Sequence, residues 1–139
     1  MNTRMLAVSL LVACSTGTSL AADMLDVGKM EYESACAVCH GLSGKGDGYM
    51  KSQLTNRVPD LTVLARNNKG VFPFDRVYQI IDGRQEVKSH GTREMPVWGR
   101  SFNLQSSIYF ENYPRQDVES AARSRILALT EYIYRLQAK

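Results

Sequence analysis

Residues 36–40 read Cys36-Ala37-Val38-Cys39-His40, and this pentapeptide determines how the rest of the chain is interpreted. The stretch before it, from Met24 to about Val38, has no proline, and its apolar residues recur at spacings of three to five, which predicts a helix. The stretch after it, 41–48, holds four glycines in eight residues and predicts a loop. The pentapeptide therefore lies where a helix gives way to a loop.

Two cysteines three positions apart, followed directly by histidine, form the attachment sequence of c-type haem. At this spacing each thiol can form a thioether with one of two vinyl groups on the same porphyrin edge, while the histidine reaches the iron. The pattern predicts one covalently bound haem c, held by Cys36, Cys39 and His40. A structural zinc site is an alternative, but only His90 would remain as a fourth ligand. A thioredoxin-like redox pair is another, but the sequence predicts no strands for its βαβ unit.

The sixth coordination position of such an iron separates electron transfer from ligand chemistry. Met95 lies 55 residues after His40, and the following Pro96 biases its backbone toward an extended form. That length of chain can pass around the porphyrin edge, so Met95 is the predicted sixth ligand. His90 is a second candidate for the sixth ligand. The alternative for Met95 is that it fills space in the hydrophobic core and binds no iron. The other methionines after the predicted signal peptide lie closer to the motif in sequence, at Met24, Met30 and Met50.

Residues 24–139 resemble class I bacterial c-type cytochromes along their whole length. Gly28 and Tyr32 resemble residues of that family's first helix, where the glycine allows a close crossing with the last helix. Tyr132 with Ile133 resembles the aromatic–aliphatic pair of that last helix. The resemblance implies an all-α cytochrome c fold, a small helical domain with long loops wrapped around one haem.

Two loops carry the remaining resemblance. Pro59-Asp60-Leu61 is similar to the family's turn, whose proline carbonyl accepts a hydrogen bond from the iron-bound histidine and so implies a haem-binding role for Pro59. Residues 95–99, Met-Pro-Val-Trp-Gly, are similar to the sixth-ligand loop. Residues 100–115 depart from the family as an insertion. Their aromatic residues are expected to cover the haem edge, to form a partner surface or to pack within a loop: Phe102, Tyr109, Phe110 and Tyr113.

Periodicity predicts the other elements. Phe74–Ile81 presents an apolar face of a helix that stops at Asp82-Gly83, and a short apolar turn or helix begins at Leu61. The longest amphipathic helix is predicted at about Gln116–Gln137. Residues 84–115 are predicted to be mostly irregular.

The first 22 residues read as a secretory signal peptide, with Arg4 followed by the apolar run Leu6–Ala13. This run is shorter than the ~20 residues that a membrane-spanning helix needs. The predicted organisation is a signal peptide at 1–22 and a cytochrome c domain at 23–139, in the periplasm. The alternative is a lipoprotein signal that ends before Cys14, which would place a lipid anchor on Cys14.

Charge and family resemblance together bound the function. The 17 basic and 14 acidic residues are scattered, which argues against nucleic-acid binding. The resemblance implies an electron-transfer protein rather than an enzyme, which carries single electrons between a dehydrogenase and an acceptor such as an oxidase. Alternatives are a cytochrome subunit of a periplasmic dehydrogenase complex, a haem peroxidase and a gas sensor. Basic residues that flank the motif loops suit an acidic redox partner: Lys45, Lys51, Lys88, Arg93 and Arg100.

Overall fold

A computed structural model describes residues 25–85, 95, 97–109, 111, 112 and 114–138. Most of these residues are helical and none of them forms a strand, which confirms the all-α prediction for this part of the chain. The proposed signal peptide, the division at residue 22 and several candidate residues lie outside the described residues: Cys14, Met24, Lys88, His90, Arg93, Phe110 and Tyr113.

The predicted first helix is present. Helix α1 (Val27–Glu31) is capped by Asp26, whose carboxylate accepts a hydrogen bond from the Lys29 backbone N–H. It continues through a π-helical turn (Tyr32–Cys36) into helix α2 (Ala37–His40), which ends at the glycine loop.

Short helical turns follow, connected by loops. One 3-10 turn spans Tyr49–Gln53, a second spans Leu61–Val63, and the second runs directly into helix α3 (Leu64–Asn67). The short element predicted from Leu61 is therefore confirmed. Helix α4 (Phe74–Asp82) also agrees with its prediction and stops at Gly83, which has the left-handed backbone that favours glycine at a helix end.

The prediction that residues 84–115 are mostly irregular is wrong for its second half. Helix α5 (Trp98–Tyr109) occupies twelve of these residues. Gly99 lets it approach α4 closely, because a Cβ atom there would lie 2.5 Å from the Asp82 carbonyl oxygen. The Phe102 side chain of this helix is buried, with 1% of its surface exposed. Packing rather than sequence propensity makes this segment helical.

Helix α6 (Arg115–Arg135) is the long C-terminal helix that periodicity predicts, and it organises the core. It packs against α1, α4 and α5. No helix among the described residues is long and apolar enough to cross a membrane.

The core lies between these helices, and each large apolar side chain fully buried there contributes about 1.5–3 kcal/mol. Its buried members come from every long helix and from the π-helical turn: Tyr32, Cys36, Val77, Ile81, Phe102, Ala122, Ile126, Leu129 and Ile133.

Candidate functional site

The pentapeptide closes the first helical stretch. Cys36 is the last residue of the π-helical turn, and His40 is the last residue of α2. In the π-helical turn the Ala37 backbone N–H donates to the Tyr32 carbonyl, five residues back instead of four. The additional residue rotates everything after it by about 100° relative to a regular α-helix. π-Helical turns inside helices often mark functional sites.

The His40 imidazole is buried, and its Nδ1 lies 3.2 Å from the carbonyl oxygen of Pro59. Because a carbonyl oxygen can only accept, Nδ1 carries the proton and Nε2 keeps its lone pair. Burial lowers the pKa of His40, and the hydrogen bond to Pro59 offsets part of that change. At neutral pH the ring is therefore neutral, with one nitrogen fixed and the other able to bind a metal.

The two cysteines are free thiols that differ in environment. Cys36 is buried and Cys39 is half-buried. Burial raises the pKa of Cys36 to about 12, and the Glu31 carboxylate adds to this effect. The Cys36 thiol is therefore protonated and shielded in the folded chain, whereas Cys39 lies nearer the surface.

The glycine loop folds back over the end of α2. The Gly46 backbone N–H donates to the His40 carbonyl at 2.8 Å, and the Gly48 N–H donates to the Cys39 carbonyl at 3.1 Å. These bonds satisfy carbonyls that the helix end leaves free. Gly46 has a φ of +74°, and a Cβ atom there would lie 2.5 Å from the Val58 carbonyl oxygen. Only glycine allows the loop and the Pro59 turn to meet at this distance.

The Pro59 turn has its own hydrogen bonds. The Leu61 backbone N–H donates to the Gly44 carbonyl at 2.7 Å, which ties the turn to the glycine loop. The Asp60 carboxylate accepts bonds from the backbone N–H and the hydroxyl of Thr62, at 2.8 and 2.7 Å. These bonds, the hydroxyl one first, lower the pKa of Asp60. The carbonyl that faces His40 therefore belongs to a well-held segment.

Met95 is half-buried and packs against the hydrophobic core, of which Cys36 is a member. The competing methionines that the structure describes are placed differently. Met30 lies on α1 with 51% of its surface exposed, and Met50 is half-buried in the 3-10 turn after the glycine loop.

No family model, curated protein or solved structure matches the chain. The assignment of the site therefore depends on its own residues.

Within the described part of the chain, no three His, Cys, Asp or Glu side chains are grouped so that they could hold a metal ion. Cys36, Cys39 and His40 thus do not converge on one point.

Within residues 100–115, the part up to Tyr109 is helical rather than a loop, and its residue Phe102 belongs to the core. Phe102, a candidate for the haem edge or for a partner surface, is buried, with the Arg125 guanidinium 4.1 Å from its ring centroid and the Trp98 ring 6.0 Å away. Tyr109 is 85% exposed. Phe102 therefore packs inside the protein, as expected if the segment is a packing element, but it does so within a helix rather than a loop.

A groove of about 930 Å³ lies between α4, α5 and α6, and none of the candidate haem-binding residues lines it. Its charges largely neutralise one another, because Arg84 pairs with Asp82 while Arg115 and Arg123 flank Glu119. Arg100 also lines this groove, whereas Lys45 and Lys51 are exposed near the glycine loop.

Two supporting side chains have roles that the sequence does not reveal. The Tyr32 hydroxyl donates to the Gly41 carbonyl at 2.8 Å, which anchors the start of the glycine loop. The Gln137 amide contacts the segment after the Pro59 turn. Periodicity predicts neither the Tyr32 contact nor the Gln137 contacts, since both depend on how distant segments meet.

Proposed function

We propose that the chain is a monohaem c-type cytochrome of class I that carries single electrons. The observation that supports this most is the buried, neutral imidazole of His40. Its Nδ1 is held by the Pro59 carbonyl, which leaves Nε2 as a ligand. The residue also follows directly after the motif's two free cysteines. The crossing of α1 and α6 at Gly28 supports the cytochrome c fold as part of this proposal.

Each proposed haem-binding residue has a separate task. Cys36 and Cys39 would hold the haem covalently, each through a thioether formed by adding its S–H across one vinyl group. His40 Nε2 is the fifth ligand, and Met95 is proposed as the sixth. The Pro59 carbonyl fixes the orientation of the imidazole and increases its basicity.

The haem, when bound, supplies an iron that cycles between Fe(III) and Fe(II). His40 and Met95 would both bind the iron, so that little of the protein would have to rearrange when an electron arrives. The neutral sulfur of Met95 and the apolar core favour the reduced state. We therefore propose a positive midpoint potential.

The location and partners extend the same proposal. Residues 1–22 act as a signal peptide and residues 23–139 as the cytochrome domain in the periplasm, with a lipid anchor at Cys14 as the alternative. The partners are a dehydrogenase that donates electrons and an acceptor such as an oxidase, which bind through a small interface.

The test is to express the full chain in a bacterial host that attaches haem c. We expect a covalent haem in the denatured protein, a pyridine haemochrome spectrum typical of two thioethers, and loss of one thioether in either Cys36→Ala or Cys39→Ala. Cys14→Ser is the matched control and should leave the spectrum unchanged. A chain without covalent haem, in a host that matures another c-type cytochrome, would overturn the proposal.

A redox titration and carbon monoxide binding then test the electron-carrier role. A positive midpoint and slow, incomplete binding of carbon monoxide by the reduced protein are expected. Rapid stoichiometric binding would instead indicate an open iron position, as in a gas sensor or peroxidase.

A further inference from the structure

Gln137 lies two residues beyond the end of α6, and its side-chain amide bonds the chain segment that follows Pro59. Its Nε2 donates to the Leu61 carbonyl at 2.7 Å and to the Ile133 carbonyl at 2.9 Å. Its Oε1 accepts from the Ala65 backbone N–H at 2.9 Å. Both ends of one amide are thus used, and the side chain is half-buried.

The Leu61 carbonyl and the Ala65 N–H are the pair that a continuous α-helix would join directly, since they lie four residues apart. The Gln137 amide stands between them, at the junction where the 3-10 turn Leu61–Val63 becomes α3. A side chain inserted into a helical ladder changes the path of the backbone there. Gln137 therefore determines how the segment leaves the Pro59 turn.

Further bonds join this junction to the histidine. The Ala138 backbone N–H donates to the Thr62 carbonyl at 2.8 Å, beside the Gln137 contacts. Leu61 is held on its other side by its N–H bond to the glycine loop. The Pro59 carbonyl lies only two residues before Leu61, so its position relative to His40 depends on both anchors.

We propose that Gln137 is a positioning residue for His40, because it holds the Leu61 segment so that the Pro59 carbonyl stays within hydrogen-bond distance of the His40 Nδ1–H. The inference rests on the proposed function and adds to it a remote determinant of the ligand's basicity. Loss of the amide lets the carbonyl move and weakens the bond. A less basic imidazole stabilises Fe(III) less, so the midpoint potential rises.

The test compares three variants of the haem-loaded full-length protein. Gln137→Leu removes the amide at similar size. Gln137→Glu keeps an acceptor for Ala65 but puts a carboxylate oxygen opposite the Leu61 carbonyl. Gln116→Leu is the matched control, since Gln116 is exposed at the other end of the same helix. The readouts are the midpoint potential and the solvent exchange of the His40 Nδ1–H, followed by NMR of the reduced protein.

For Gln137→Leu we expect a positive shift of the midpoint and faster exchange of the Nδ1–H, on the order of tenfold, as for the loss of about one net hydrogen bond. Gln137→Glu should shift both readouts in the same direction, and Gln116→Leu neither. The backbone N–H of Leu129, buried within α6, is the internal reference for global opening. Its exchange should stay close to the wild-type rate.

Equal midpoints and equal Nδ1–H exchange in wild type and both Gln137 variants would overturn the proposal. Acceleration of the Leu129 amide by the same factor as the Nδ1–H would also overturn it, because Gln137 would then stabilise only the whole fold. If Gln137→Leu does not mature, Gln137→Glu alone decides between these outcomes. A wild-type chain that binds no haem would instead contradict the proposed function.

Discussion

Gly28 in α1 and the carbonyl oxygen of Ala128 in α6 approach so closely that a Cβ atom at Gly28 would lie 2.2 Å from that oxygen. In an exposed helix, Gly→Ala stabilises by roughly 1 kcal/mol. At this crossing Gly28→Ala should destabilise by about 2 kcal/mol, because the two helices have to separate. Thermal or denaturant unfolding measures the difference, and an increase in stability would contradict the close crossing.

Glu31 and Arg125 form a half-buried ion pair that also joins α1 to α6. The Arg125 Nη2 lies 2.9 Å from the Glu31 carboxylate and 2.9 Å from the Gln105 side-chain oxygen. Glu31→Gln removes the charge at constant shape and should cost about 2 kcal/mol in the free energy of unfolding.

Asp26→Asn is the matched control for this pair. Asp26 pairs with Arg135 at 2.8 Å but is more exposed, and asparagine still caps α1. It should cost less than Glu31→Gln, because solvent screens the exposed Asp26–Arg135 pair. Equal costs for the two variants would show that burial does not strengthen the Glu31 pair.

Phe102 is the buried anchor of α5. Phe102→Ala should destabilise the protein by about 3–5 kcal/mol, because it leaves a cavity between α5 and α6. Tyr109→Ala, at an exposed position of the same helix, should change the stability by no more than about 0.5 kcal/mol. Denaturant unfolding of both variants tests the assignment, and a small effect at Phe102 would disprove it.

Sequence periodicity predicts α4 and α6 because each has an apolar face and a plausible end. It cannot predict α5, since Trp98–Tyr109 contains a glycine and three serines and little apolar repetition. The pentapeptide and the Pro59 turn are visible in the sequence as motifs, and the bond between His40 and Pro59 is expected from the resemblance. The role of Gln137 is not predictable, because it depends on the last residues of the chain meeting Leu61 and Ala65.

Met95 is the proposed sixth ligand. A leucine at this position removes the sulfur and keeps a side chain of similar volume. Met95→Leu should convert the oxidised haem protein from low-spin to high-spin and allow rapid carbon monoxide binding after reduction. Met50→Leu and Met30→Leu serve as controls and should leave the absorption and electron paramagnetic resonance spectra unchanged. A low-spin Met95→Leu protein would point to another ligand.

Asp60 makes the stability of the Pro59 turn sensitive to acid. Hydrogen bonds from Thr62 lower its pKa below the ordinary value of 3.8, so the charged carboxylate stabilises the folded state above that value. The benefit is lost as the pH falls through the lower pKa of the folded state. At pH 7 the wild type should be more stable than Asp60→Asn, by an amount that solvent screening keeps small.

Unfolding of both proteins as a function of pH measures this dependence. The difference between them should shrink as the pH falls from 3.8 through the lower folded-state pKa of Asp60, below which both side chains are uncharged. A difference that does not vary with pH would show that the carboxylate charge is not involved.

The crossing of α1 with α6 also sets an order of events in time. The first helical stretch has its packing partner at residues 115–135, nearly the whole described chain away, so the core cannot close until that last helix is present. In the unfolded chain the Cys36 sulfur is open to solvent, whereas in the folded chain the residue is buried, with 8% of its surface exposed. We therefore expect a thiol-reactive reagent to modify Cys36 faster in the unfolded chain than in the folded chain.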